Sequence, residues 1–154
     1  MNSYKLRVDG VVYTTTATVM VLPLGDGAHT WMGRSRDWLG NASAYAGEWT
    51  VNVDTTAPPT PALQSPADDS YTNQADVEFR WQDVSAPTYN LRVDGLVYTT
   101  TATSLVVALG DGPHDWTVRS LDWLGNASGY AADWTITVDT TPPDRPTLIG
   151  PAND

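Results

Sequence analysis

Acidic side chains beside turn residues are the chemistry-bearing groups that recur along this chain of 154 residues. Asp9, Asp26 and Asp54 fall at turns of the first third, and Asp83, Asp122 and Asn126 at turns further on. The first three are expected at the end of the first repeat and the others at the end of the second that should face it, and hard oxygen donors converging at such a joint suit Ca²⁺, which takes about six to eight oxygens. The competing role is local: Asp and Asn make turns and cap loops. His29 and His114 each stand two residues before a Trp, with no second His nearby and no Cys in the chain. That spacing fits a turn or edge histidine better than a metal ligand or a triad base. Ser35, Ser43, Ser120 and Ser128 lack a nucleophile context such as G-x-S-x-G. Carboxylate pairs for glycoside hydrolysis would recur in every repeat without a cleft, so no enzymatic activity is expected.

Two aromatic pairs are the other candidates: Trp38 with Tyr45, and Trp123 with Tyr130. Exposed rings can stack on sugars, and repetition adds avidity, so glycans are candidate partners. The alternative is that each Trp anchors a neighbouring domain at a joint. Asn41-Ala-Ser43 and Asn126-Ala-Ser128 match the N-glycosylation pattern, which here doubles as a turn. The Thr-rich runs at 14–18 and 99–103 suit O-glycans or, more simply, ordinary strands.

Those residues must be positioned by strands. Seven Trp, seven Tyr and abundant Thr and Val suit a pleated, half-buried surface. With 18 acidic against 8 basic residues the net charge is -10, which disfavours nucleic acid as a partner. No apolar run approaches the roughly 18 residues of a membrane span. No signal-peptide pattern follows Met1; strand-like alternation begins at Tyr4. Without cysteine there is no disulfide or thiolate chemistry.

The organising feature is a repeat. Residues 4–69 align without a gap to 89–154 at an offset of 85, with 43 of 66 pairs identical, so both copies must share a fold. The unit is too long for a solenoid repeat and suits a small sandwich. In the complete copy, 57–141, alternation predicts seven strands: 61–65, 77–83, 89–94, 96–101, 103–109, 114–122 and 134–139. Val77, Phe79, Trp81, Tyr89, Leu91, Val93, Leu105, Val107, Trp116, Val118, Trp134, Ile136 and Val138 are the expected inward set. Asp94-Gly95, Gly110-Asp111-Gly112 and Gly125-Asn126 supply turns. Prolines at 58, 59 and 61, and again at 142, 143 and 146, mark stiff joints.

W-x-V-x-S-x-D-x-x-G-N-x-S, followed by W-x-I-x-V-D-T-T-P-P, with S-P-A-D-D at the start of the unit, resembles bacterial fibronectin III-like or Ig-like tandem repeats. The resemblance spans essentially the whole chain. It implies an all-β class of tandem seven-stranded sandwiches and an extracellular or cell-surface setting, often in adhesins. In similar arrays calcium stiffens the joints, with the acidic residues above as its ligands. Trp38 and Trp123 depart from the small residue common at that turn.

Phasing divides the chain into an incomplete repeat at 1–56, retaining only the last five strands, the complete repeat at 57–141, and the opening of another at 142–154. The first repeat has Gly33 where the second has Val118, an inward void of about 1–3 kcal/mol. It also lacks the strand carrying Val77, Phe79 and Trp81, so its sheet should be unstable alone. Two accounts follow: an excerpt from a longer array, or a socket completed by strands of a neighbouring copy. In the second, Pro146, Leu148, Ile149 and Pro151 of the tail form a donor strand, and head-to-tail contacts build a fibre. The expected function is a non-catalytic surface, adhesin or fibre repeat, the alternative a carbohydrate-binding accessory module.

Overall fold

A computed structural model describes residues 3–150. The chain divides into two units, Met1–Thr56 and Ala57–Asp154.

Unit 2 is a closed sandwich. Its first sheet has the order β10-β7-β5, from Ser104–Ala108, Asp76–Trp81 and Leu63–Ser65. Its second has the order β6-β12-β11-β8-β9, from Ser70–Thr72, Trp134–Val138, Gly112–Leu121, Thr88–Val93 and Leu96–Thr100. Alternation fixes which side chains point inward: along β7, Val77, Phe79 and Trp81 are buried and their neighbours exposed. They meet Tyr89, Leu91 and Val93 of β8, Val107 of β10, Trp116 and Val118 of β11, and Ile136 and Val138 of β12 in one core. Leu105 and Trp134 pack on its margin, half-buried.

All seven expected strands are present, with ends within two residues of those read from alternation. An eighth, β6, was missed. It is three residues long, pairs parallel to β12, and exposes Tyr71 by 81%. So short a segment carries no readable period, and parallel pairing leaves no hairpin signal.

Unit 1 is one sheet of order β2-β1-β3-β4, built from Val11–Thr15, Ser3–Val8, Gly27–Arg36 and Trp49–Val53. These strands repeat β9, β8, β11 and β12 in the same register: Leu6 faces Gly33 as Leu91 faces Val118. The expected fifth strand does not form. Residues 18–24 correspond to β10, whose ladder partner is β7, and unit 1 has no β7. A strand without a partner has no ladder to join.

Removal of that second sheet shows in the exposures. Tyr4, Trp31 and Val51 are 38%, 37% and 41% exposed, whereas Tyr89, Trp116 and Ile136 are at 1%, 0% and 1%. Gly33 therefore borders an open groove rather than an enclosed void: a Cβ there would meet only the Lys5 carbonyl, at 4.0 Å.

Candidate functional site: loop anchors, displayed tryptophans and an open face

The acidic residues anchor loops, and the repeated ones do so in the same way in both units. The Asp94-Gly95 turn joins β8 to β9 with φ of 48° and 81°, the left-handed pair a two-residue hairpin turn requires. Asp9-Gly10 repeats it at 47° and 84°. Asp94 then accepts from the Asp115 amide at 3.1 Å and lies 2.6 Å from His114 Nδ1, while His114 Nε2 is 2.9 Å from the Gly110 carbonyl. Asp9, His29, Thr30 and Gly25 make the same clamp. Two acceptors face two ring nitrogens, so the imidazolium is the form that satisfies both. At His29 the bond to Asp9, aided by the Gly25 carbonyl, raises the pKa above its ordinary value. At His114 burial pulls the pKa down, but the bonds to Asp94 and Gly110 outweigh it and the net shift is upward.

A second clamp was missed in the sequence. Asp111 Oδ1 accepts from Thr140 N at 2.9 Å and Thr140 Oγ1 at 2.7 Å, and its Oδ2 accepts from Thr141 Oγ1 at 2.7 Å. Asp26 holds Thr55 and Thr56 in the same way, and Asp54 caps the Thr56 amide at 3.0 Å. The available signal was the recurrence of G-D-G together with V-D-T-T, a fixed distance apart, in both copies. These hydroxyl donors hold the Asp26 and Asp111 carboxyls below the usual range.

At the other end, Asp122 Oδ1 accepts from the Leu124 and Asn126 amides at 2.8 Å each, and Asn126 Nδ2 donates to Oδ2 at 2.7 Å. Asp37 and Asn41 repeat the lock. Asp83 instead accepts from Tyr89 Oη at 2.9 Å and the Ser85 amide at 2.7 Å. Within each unit, then, these oxygens accept from nearby chain: Asp26 and Asp54 both hold Thr56, and Asp122 is bonded to Asn126. Among the described residues no three His, Asp or Glu side chains form a group that could hold a metal.

The aromatic pairs are separated by the structure. Trp38 and Trp123 stand on the locked turns, 75% and 88% exposed. Tyr130 lies half-buried beneath the guanidinium groups of Arg92 and Arg119, 4.4 and 4.8 Å from its ring centre, and Tyr45 lies beneath Arg34. The tyrosines are thus cation–π struts, and only the tryptophans are displayed.

The open face of unit 1 forms two adjoining hollows of about 550 and 410 Å³, which share Leu6, Thr18, Val19, Met20 and Trp31. Pro146, Leu148 and Ile149 have no secondary structure, the last two 91% and 100% exposed; Pro151 lies outside the described residues. The segment that matches this tail in unit 2 is β5, which pairs with β7 alone. A tail strand on unit 1 would need a β7 equivalent in place first.

No family model and no curated protein matches the sequence. Among solved structures, the Clostridium thermocellum CbhA fibronectin(III)-like modules align over 88% of this chain and 77% of theirs, at TM-score 0.61 and 17% identity. The fold is fibronectin III-like. Two weaker likenesses are the central fibronectin-III array of RIM-binding protein (TM-score 0.35, 18% identity, 92% of this chain, 58% of that one) and SGBP-B of a Bacteroides ovatus mixed-linkage glucan utilization locus, in complex with a mixed-linkage heptasaccharide (0.30, 13%, 88%, 37%). At such scores neither carries weight. In fibronectin III-like terms, unit 2 is a complete module with an added short strand, and unit 1 is the same module without its β10-β7-β5 layer.

Proposed function

We propose that this chain is a non-catalytic structural repeat of an extracellular or cell-surface protein, part of an adhesive stalk or fibre whose copies associate head to tail. One observation carries the reading: the two units repeat the same ladder and the same loop clamps. The polar networks brace turns and strand ends, as a spacer under tension requires. Calcium at the joints would share the Asp26 and Asp122 carboxylates with the Thr and Asn donors that already hold them. Electron microscopy and analytical ultracentrifugation of the chain test the reading. Head-to-tail filaments, or concentration-dependent linear oligomers, are expected. A compact monomer at all concentrations would contradict it.

The displayed Trp38 and Trp123 support a second reading, in which the turns stack on sugar rings of a glycan. Glycan-array binding that vanishes in Trp123→Ala while the melting temperature holds is its expected signature.

A further inference from the structure

We propose that unit 2 carries a strand-addition site along the first half of β7, and that its occupant is an extended basic-apolar-basic segment of a partner protein. The site belongs to the complete module and stands apart from the array reading above.

β5 covers β7 only at its end, with Leu63 opposite Trp81 and Ser65 opposite Arg80. The chain then crosses to the other sheet, where Ser70–Thr72 pairs with β12. Among the described residues no strand pairs with residues 76–79 on the side that β5 has left. Parity decides which backbone groups point there. Trp81 N donates to Thr103 O, and Ala75 O accepts from Leu109 N, so the odd-numbered residues of β7 bond to β10. In an antiparallel ladder the residues between them turn their N–H and C=O to the opposite edge. Gln82 N keeps that parity by donating to Ala62 O on the β5 side. Asp76 and Glu78 therefore present two donors and two acceptors along an unpaired edge, which is what strand addition uses. Beside that edge lies a hollow of about 320 Å³, lined by buried Val77 and Ile136 and by Pro66, Tyr71, Asp76 and Glu78.

The chemistry of the occupant follows from pairing. Side chains opposite Asp76 and Glu78 share their exposed outer face, where opposite charge is favourable. The side chain between those two shares the inward face of Val77 and enters the hollow, so it must be apolar. Glu78 already holds Arg80 at 2.8 Å, whereas Asp76 has no cation partner among the described residues. A second copy of the same edge does not fit. It would set Asp76 and Glu78 against their own equivalents, and like charges facing each other destabilise a pair, here on chains of net charge -10. Lys5-Leu6-Arg7 has the required pattern but is paired on both edges, by β2 and β3.

The test titrates the full chain with fluorescein-labelled Ser-Gly-Arg-Val-Arg-Gly-Ser, read by anisotropy and by amide hydrogen exchange. Saturating peptide should slow exchange of the Asp76 and Glu78 amides. Methylating the two arginine backbone nitrogens should weaken binding at least roughly tenfold, since pairing needs those N–H groups. Reordering the core to Arg-Arg-Val, at equal charge, should weaken it as much. Asp76→Lys, at an exposed position and with an unchanged melting temperature, should do the same. Absence of binding, or protection elsewhere than at β7, overturns the proposal. Equal binding of the methylated or reordered peptide also overturns it, because charge attraction alone then suffices. Protection of the Asp76 and Glu78 amides that grows with chain concentration, without peptide, gives the edge to a second copy and overturns the assigned occupant.

Discussion

Phe79 lies across Trp116 with ring centres 4.9 Å apart and planes tilted by 58°. Trp31 occupies the place of Trp116 in the other copy of the repeat and has no such cover; its ring partner is Trp49, edge-on at 5.5 Å. That contact belongs to the sheet that unit 2 has and unit 1 lacks, and it makes the two copies internal controls for each other.

Phe79→Ala should therefore be severe, costing unit 2 about 3–5 kcal/mol through a core cavity. Trp31→Ala, already partly in solvent, should cost about 1 kcal/mol. Urea unfolding monitored separately for the two units checks the asymmetry; equal losses would contradict it.

Gly33→Val should be tolerated in unit 1 and should stabilise it by about 0.5–1 kcal/mol, because a strand glycine is replaced where a Cβ meets only the Lys5 carbonyl, at an ordinary contact distance. A falling melting temperature would show that the groove is filled by something the open sheet does not reveal.

The histidine clamps set a pH dependence. Both His29 and His114 have raised pKa values in the folded chain. Their stabilisation is fully present below the unfolded value near 6.5 and is lost as pH rises through the higher folded value. Imidazole proton NMR should give midpoints above 6.5 for both, and Asp9→Asn should bring His29 back down. The sign is opposite for Asp26 and Asp111, whose lowered pKa values make their contribution vanish only as pH falls below the ordinary carboxylate range.

Asp122→Ala should loosen the turn that displays Trp123, since three hydrogen bonds to its carboxylate are lost. Faster exchange at the Leu124 and Asn126 amides is the expected readout, with the core strands β8 and β11 unaffected.

Much of the fold was legible because the physics is periodic. Val77, Phe79 and Trp81 alternate with polar neighbours, and Asp-Gly pairs mark hairpins, so strands and faces follow from elementary rules. β6 was not legible, since three residues beside a parallel partner leave no pattern. Nor was the loss of the strand at 18–24: the apolar run Val19–Leu22 still reads as a buried strand, and the ladder partner it would need, a β7, is not there. At the site, the recurring carboxylates were visible but their partners were not. Thr140 and Thr141 reach Asp111 across 29 and 30 residues, a distance that no local rule spans. Tyr130 and Trp123 looked like a pair in sequence, yet Arg92 and Arg119 take the tyrosine alone.

Native-state hydrogen exchange on the chain without added peptide tests the central claim most directly. Amides of β8 and β11 should exchange only by global opening of unit 2, whereas their counterparts in β1 and β3 should exchange by low-energy local opening, faster by orders of magnitude. Equal protection in the two sheets would mean that unit 1 is closed after all, and the account of one sealed and one open module would fall.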